Sequence, residues 1–504
     1  MKNSISKRSL TDLQLLLLLA AARFIIHLLT NNQYGFHRDA LAFLDNGQHL
    51  AWGYVAYPPL TPFIGRLGLE LFGLSLVGIK SLAALAQCAG MVLTGLMAKE
   101  LGGSRRAQVV AALAAAISIM SLLMSTLFQY IAFDYLWWLF TLYCLIRLLK
   151  SDNARWWLGI GAGIGLGMMT KYTMLFLVVA IVVSVLFTKR LRAHLRSPWL
   201  WAGVGLSLLI FLPNLIWQVQ HDFASLEFLQ AIRARDVQIG RAEGYLSQQF
   251  YVNLNPFTVP LFFLGLVYFF SASGVRFRVI GWIYLLTLAL FGFSQGRFYY
   301  MAPAYPMLLA GGAVAGERWL ATLPARRQRV VNRATVGFLF VGGLIGAALA
   351  LPLAPVNSAL WEVTSGIHDN FSEQIGWEEM AQNVAEIYEA EAANYTSLGI
   401  LAGNYGEAGA INLYGPQYGL PTAISPVNSY WHRGYGENPP EAVIVLGYSR
   451  EFLSLLFQSC QWVAQNGNEY GVKNEESRFS PDIFLCTDLW EPWEKIWPKI
   501  RSFG

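Results

Sequence analysis

Four isolated charged side chains lie within long apolar or aromatic stretches of this sequence: Asp39, Asp134, Lys171 and Arg297. A lysine or arginine can neutralise the charge of a departing phosphate, and a carboxylate can remove the proton of an incoming nucleophile. Together these residue types suit group transfer from a phosphate-linked donor, provided that the fold holds them in one place. The alternative is that they are ordinary interface anchors, with Lys171 extending to the lipid headgroups.

The composition indicates that most of this chain lies in a membrane. Of its 504 residues, 55% are hydrophobic and only 13% are charged, whereas soluble domains carry about 25% charged residues. Several apolar runs are shorter than the roughly 20 residues of a standard span, which tilt or local thinning of the bilayer can accommodate. The first run has no small-residue cleavage site and is expected to be a retained helix. We predict eleven spans, at 13–30, 76–97, 108–127, 133–149, 156–170, 172–188, 199–218, 257–270, 279–293, 301–315 and 334–351.

The distribution of Lys and Arg predicts the orientation of these spans. Basic side chains collect in cytoplasmic loops, and six basic clusters fall at every second loop of an eleven-span chain. They lie at 2–8, 99–106, 147–155, 189–196, 276–278 and 318–333. The amino terminus is then cytoplasmic and the C-terminal region lies outside. Because the stretch 158–187 has a basic cluster on each side, it should be a hairpin of two short helices with Lys171 at its outer turn.

The same orientation gathers polar residues on the outer face. The first outer loop, 31–75, contains Asp39 and is predicted to form two helices in the interface plane, at 40–52 and 61–72. Asp134, Lys171 and Arg297 lie in three other outer segments, and a fifth, polar segment spans 220–255. Further candidates for substrate contact are His49, Tyr57, Tyr172, Glu227, Tyr299 and Tyr300. For His49 and Glu227, solvated surface positions are the alternative.

Residues 353–504 differ from the rest of the chain. They hold 7 Lys and Arg against 19 Asp and Glu, and their apolar stretches shorten to strand length. We predict a membrane domain over 1–352 and a small soluble α/β domain over 353–504, which would cap the site or help to select the acceptor. Cys460 and Cys486 both fall in this second domain and are candidates for a disulfide in an oxidising compartment.

Several segments together resemble a known family of bacterial glycosyltransferases. The similar segments are HRD (37–39), QHLAWGYVAYPPLTP (48–62), FDYLWW (133–138), GLGMMTKYT (165–173), FLPNLIWQ (211–218) and GRFYYMAPAYPMLLAGGA (296–313). They resemble protein O-mannosyltransferases and lipid A aminoarabinose transferases, and the resemblance extends over roughly 10–355. The segment 404–431 is similar to one branch of that family. The resemblance implies a multi-span GT-C fold and a polyprenyl-phosphate-linked sugar donor.

The resemblance also implies a role for each charged residue. Asp39 matches the first-loop aspartate that acts as catalytic residue or general base, and Asp134 matches a second aspartate that helps to build the site. Lys171 and Arg297 match basic residues near the lipid-linked phosphate. Family members often have a second acidic residue directly after the first aspartate, and here that position is Ala40. The implied reaction is a direct, inverting displacement at the anomeric carbon with polyprenyl phosphate leaving.

We therefore expect a multi-pass protein of the bacterial inner membrane that transfers a sugar at the periplasmic face to an envelope lipid or glycan, or to a protein. A transporter or flippase for lipid-linked sugars is one alternative, which would show inverted repeats and helices broken at mid-membrane. A catalytically degenerate homologue acting in assembly is another, favoured by Ala40. No cofactor is required by these motifs, although a divalent ion bridging Asp39 and Asp134 stays open. The positive charge belongs to one membrane side, so no nucleic-acid partner is expected.

Overall fold

The protein is described by a computed structural model over residues 10–241 and 243–504. The basic residues Lys2, Lys7 and Arg8, which contribute to the predicted orientation, lie outside this range. Within the described residues, seventeen α-helices precede the C-terminal region that contains the strands. They are α1 (Asp12–Thr30), α2 (Arg38–Gln48), α3 (Leu60–Phe72), α4 (Leu76–Glu100), α5 (Arg105–Ala116), α6 (Ile119–Met124), α7 (Tyr130–Ser151), α8 (Trp156–Met168), α9 (Met174–Phe187), α10 (Lys189–Arg192), α11 (Pro198–Gln220), α12 (Ala224–Gln238), α13 (Tyr245–Tyr251), α14 (Val259–Phe270), α15 (Arg278–Phe293), α16 (Tyr305–Ala321) and α17 (Ala325–Ala350).

These helices show a multi-pass membrane protein, but they do not confirm the predicted count of eleven spans. Each predicted span contains helix, yet only six helices of the described chain are long and apolar enough to cross a membrane. Two helix pairs bent by 91° and 86° raise that number to eight if each pair is one span. The predicted span at 108–127 is interrupted between α5 and α6, and α8 has only 13 residues.

The hairpin that carries Lys171 is formed by α8 and α9 and packs against α11. Gly161 of α8 and Gly203 of α11 bring the two helices so close that a side chain at either position would collide with the opposing backbone. Small residues at such crossings are typical of membrane helices. The backbone N–H groups of Thr170 and Lys171 both donate to the Gly167 carbonyl, at 2.9 and 2.8 Å. Lys171 therefore lies in a well-defined turn.

The remaining elements form the α/β unit, which consists of α18–α23 and one sheet. Its helices are α18 (Ala359–Ile367), α19 (Trp377–Glu391), α20 (Tyr405–Tyr414), α21 (Arg450–Ser454), α22 (Glu475–Phe479) and α23 (Trp493–Ile496). Its strands are β1 (Leu398–Ala402), β2 (Ala442–Leu446), β3 (Phe457–Gln465) and β4 (Asp482–Leu489), in the order β1-β2-β4-β3. The β1–β2 pair is parallel and the other two pairs are antiparallel. A disulfide joins Cys460 of β3 to Cys486 of β4.

The α/β unit docks on α2, one of two helices that the structure places in the predicted first outer loop. Eight residues of α2, from Ala40 to Gly47, are buried. Gly409 of α20 packs on α2 so tightly that an added Cβ would lie 2.9 Å from the Leu41 carbonyl carbon. Arg433 pairs with the buried carboxylate of Asp45 at 2.6 Å. The unit is thus joined to the bundle by close packing and by a buried ion pair.

Candidate active site

One cavity of about 340 Å³ lies between the helical bundle and the α/β unit. Residues from every predicted outer segment and from the α/β unit line it. The outer segments contribute, in chain order, Asp39, Tyr57, Tyr130, Lys171, Tyr172, Asp236, Arg297 and Tyr300. The α/β unit contributes Tyr405, Ser429 and Tyr430. Part of its wall is apolar, formed by Phe176, Phe228, Leu229, Ile232 and Phe291. The cavity therefore combines charged groups with a surface that suits a hydrocarbon chain.

Asp39 reaches the cavity from the first turn of α2. His37 is the N-cap of α2, and its Nδ1 atom accepts a hydrogen bond from the Asp39 backbone N–H at 3.1 Å. The Asp39 carboxylate accepts hydrogen bonds from Gln129 Nε2 and from the Tyr405 hydroxyl, both at 2.9 Å. Its side chain stays 32% exposed, so a substrate hydroxyl can reach it and lose a proton there.

Lys171 presents its ammonium group among three tyrosine rings. The Nζ atom lies 3.8 Å from the ring centroid of Tyr300, 4.8 Å from that of Tyr130 and 5.5 Å from that of Tyr299. Rings at these distances attract a cation through their negative faces. No carboxylate of the described residues lies within ion-pair distance of Lys171, which suits the binding of an anionic group.

Asp134 lies beneath this cage and does not line the cavity. Only 4% of its surface is exposed, and its Oδ1 atom has no hydrogen-bond partner among the described residues. Asp134 therefore does not touch a ligand in the cavity.

Arg297 belongs to an arginine cluster, defined as Arg235, Arg241 and Arg297 around Asp236. Arg297 pairs with Asp236 through Nε–Oδ2 at 2.6 Å and Nη2–Oδ1 at 3.0 Å, a bidentate geometry that fixes the guanidinium. Arg235 and Arg241 lie 3.8 and 3.7 Å from the same carboxylate. Three cations share one anion, so the cluster keeps a net positive charge at the cavity wall.

The other predicted contact residues divide into two groups. Tyr57 and Tyr172 line the cavity; the Tyr57 hydroxyl accepts from Asn46 Nδ2 at 2.6 Å. His49, Glu227 and Tyr299 are not among the lining residues. The His49 ring is 46% exposed, Glu227 forms an ion pair with Arg501 at 3.1 Å, and the Tyr299 hydroxyl accepts from Arg297.

Several residues of the site have no individual role in the sequence analysis. Gln129 bonds Asp39 but does not line the cavity, and it has no local signal beyond its polarity among aromatic residues. Arg38 lines the cavity and belongs to the HRD segment, which points to no separate role for it. The aromatic residues of the C-terminal region, Tyr405 and Tyr430 among them, suit either sugar stacking or a core, and only the tertiary structure places these two and Ser429 at the cavity.

The described residues hold no group of three or more His, Cys, Asp or Glu side chains arranged to bind a metal. Asp39 lines the cavity whereas Asp134 is buried away from it. The pair therefore does not fit the bridging ion that the sequence leaves open, and no step is derived through a metal.

The fold agrees with solved glycosyltransferases over nearly the whole chain. ArnT from Cupriavidus metallidurans, in a crystal structure bound to undecaprenyl phosphate, aligns with 94% of this chain and 97% of its own at a TM-score of 0.55 and 16% identity. The family model for dolichyl-phosphate-mannose-protein mannosyltransferase matches residues 56–217. The chain therefore shares the fold of these solved structures, and the family model matches less than half of its length. The predicted resemblance and fold class are thus confirmed.

A second solved structure and two curated relatives also resemble this chain. Arabinofuranosyltransferase AftD from Mycobacteria covers 95% of this chain, with 40% of its own length, a TM-score of 0.55 and 13% identity. Two curated relatives come from Rhizobium johnstonii: the lipopolysaccharide core galacturonosyltransferase RgtB, 26% identical over 229 residues (44% of this chain), and the lipid A galacturonosyltransferase RgtD, 26% identical over 200 residues (38% of this chain). The alignments span 46% and 41% of those relatives, less than half of their length.

Proposed function

We propose that this GT-C protein transfers a sugar from a polyprenyl phosphate to an envelope lipid or glycan at the periplasmic face of the bacterial inner membrane. The observation that carries the proposal is the cavity itself. It brings one accessible carboxylate, Asp39, together with the Lys171 ammonium and the arginine cluster. A base and several cations in one enclosed space suit a phosphate-leaving displacement.

In the proposed reaction, Lys171 and the arginine cluster hold the phosphate of the donor, and the apolar wall contacts its polyprenyl chain. Asp39 takes the proton of the acceptor hydroxyl as that oxygen attacks the anomeric carbon. The bond between this carbon and the phosphate oxygen breaks, and polyprenyl phosphate leaves with the bonding electrons. One displacement inverts the anomeric configuration, and Asp39 passes its proton to solvent.

The relatives support the choice of donor and acceptor class. ArnT was crystallised with undecaprenyl phosphate, which is the leaving group of the proposed reaction. RgtB and RgtD are named for lipopolysaccharide core and lipid A, so an envelope lipid or glycan is the favoured acceptor. A protein acceptor is less well supported by these names.

The proposed orientation is supported by the two ends of α7. This helix begins at Tyr130, which lines the cavity, and ends at Ser151 in a basic region. There Arg190 pairs with Asp152 at 2.5 Å, and Arg276 Nε donates to the Leu149 carbonyl at 2.7 Å. Three predicted cytoplasmic segments thus meet far from the cavity, as the positive-inside rule requires.

The test is mass spectrometry of envelope lipids and glycans from cells with the wild-type protein, with Asp39→Asn, and with no protein. We expect a species heavier by one glycosyl unit in the wild type only. A variant that matches the wild type while the null strain differs would remove Asp39 as the base. In proteoliposomes, movement of lipid-linked sugar by Asp39→Asn without turnover would favour the flippase alternative.

A further inference from the structure

The carboxylate of Asp39 is held from two different parts of the molecule. Gln129, at the start of α7, donates to Oδ2 at 2.9 Å. Tyr405, the first residue of α20, donates through its hydroxyl to Oδ1 at 2.9 Å. Each carboxylate oxygen has a second lone-pair direction left to accept a proton. The two donors therefore fix the group without blocking it.

Tyr405 is itself fixed by local structure. The Asn404 side chain accepts hydrogen bonds from the backbone N–H groups of Gly406 and Glu407. The Glu407 side chain in turn accepts a hydrogen bond from the Asn404 backbone N–H, and together these bonds form a capping box at the start of α20. Burial raises the pKa of Tyr405 above its ordinary value. The phenol consequently keeps its proton and is the donor in the bond to Asp39.

Tyr405 packs near Arg38, the residue directly before Asp39. The Arg38 guanidinium lies 5.7 Å from the Tyr405 ring centroid and pairs with Glu475 at 2.7 Å and with Glu476 at 3.2 Å. These contacts join the first turn of α2 to α22. The position of the Tyr405 hydroxyl is thus set by how the α/β unit docks on α2.

We propose that Tyr405 is a positioning residue for Asp39, and that the α/β unit thereby completes the active site. The inference rests on the proposed function, in which Asp39 is the base. The hydroxyl holds the carboxylate in the rotamer that faces the cavity. Its loss should lower turnover through disorder of the base.

The test compares Tyr405→Phe with Tyr418→Phe in the full-length protein reconstituted in proteoliposomes. Tyr418 is a matched control because its hydroxyl bonds Gln382 and Glu378, away from the cavity. For Tyr405→Phe we expect kcat to fall about tenfold, the value for one hydrogen bond to a charged group, with KM for the donor unchanged. The control should match the wild type in both kcat and KM.

Gln129→Leu is the second variant, since it removes the other donor while leaving the α/β unit untouched. It should lower kcat with KM for the donor unchanged, as Tyr405→Phe does. If Tyr405→Phe keeps the wild-type kcat, whatever the effect of Gln129→Leu, the inference is overturned. Retained transfer by Asp39→Asn would instead refute the proposed mechanism itself, so the two failures are distinguishable.

Discussion

The two walls of the cavity are built from different kinds of sequence. The bundle supplies isolated charges from short turns between apolar helices, such as Lys171 and Arg297. The α/β unit supplies neutral hydroxyl groups, those of Tyr405, Ser429 and Tyr430, from a polar region. The charged groups that the proposed function assigns to phosphate binding thus come from the bundle, whereas the α/β unit contributes hydroxyl groups, one of which bonds Asp39.

Replacing Lys171 with Met tests the bundle side most directly and should have the largest effect. It removes the caged cation while keeping the length of the side chain. We expect kcat/KM to fall by about 10²–10³, the range for loss of one electrostatic contact in an enclosed site. Transfer assays in proteoliposomes measure this, with Lys189→Met, an exposed lysine of α10, as the control. Equal activity of the two variants would show that Lys171 is only a membrane anchor.

Replacing Arg433 with Ala tests how firmly the α/β unit is joined to the bundle. The Asp45 carboxylate is fully buried, and loss of its partner should cost about 3 kcal/mol of stability. The unfolding midpoint should drop, and the double variant with Asp45→Asn should recover part of the loss. Lys495→Ala, at an exposed position of α23, is the control. No drop would mean that close packing alone holds the unit.

Asp134→Asn should have a smaller effect than Lys171→Met, because Asp134 does not line the cavity and we propose that it acts through that lysine. We expect about a tenfold lower kcat/KM, equal to about 1.4 kcal/mol. In the Lys171→Met background the same change should add little, since interacting residues are not additive. Full additivity, measured by a double-mutant cycle, would indicate an independent role for Asp134.

A further expectation is a pH dependence of stability that belongs to the α/β unit. Burial, and then the nearby Glu476, raise the pKa of Glu373 to about 8, whereas an unfolded glutamate titrates near 4.3. The folded state therefore binds a proton that the unfolded chain lacks in this window, and stability should fall as pH rises from about 4.5 to 8.

Glu373→Gln mimics the protonated side chain, so its unfolding midpoint should change less with pH than that of the wild type. Burial also raises the pKa of Glu407 to about 8, so part of the slope should remain. Glu389→Gln, at an exposed position of α19, serves as the comparison. A wild-type slope in Glu373→Gln would contradict the assignment.

The sequence predicts the elements better than it predicts their boundaries and contacts. Strands β1, β2 and β4 match apolar stretches, because each is largely buried. Strand β3 was missed, since it is an exposed edge strand with little apolar pattern. The span count depended on run length, and apolarity does not show where a helix bends or stops.

For the candidate site, the sequence likewise predicts individual residues better than it predicts their contacts. Charges such as Lys171 are conspicuous because an apolar segment has to accommodate each one at a cost. The bond between Tyr405 and Asp39 joins residues 366 positions apart, and neither neighbourhood carries a sign of the other. The burial of Asp134 could not be predicted from the sequence either. The position of a residue along a helix does not show which side of that helix faces the cavity.

The seating of α2 between the bundle and the α/β unit has a consequence for biosynthesis. Asp39 emerges from the ribosome early, while Tyr405 and Tyr430 emerge only after all of the bundle helices. Chains fold from their amino terminus during synthesis, so a partly made protein carries Asp39 in an open and unfinished cavity. The enclosed cavity forms only when the α/β unit has been made and has folded onto α2.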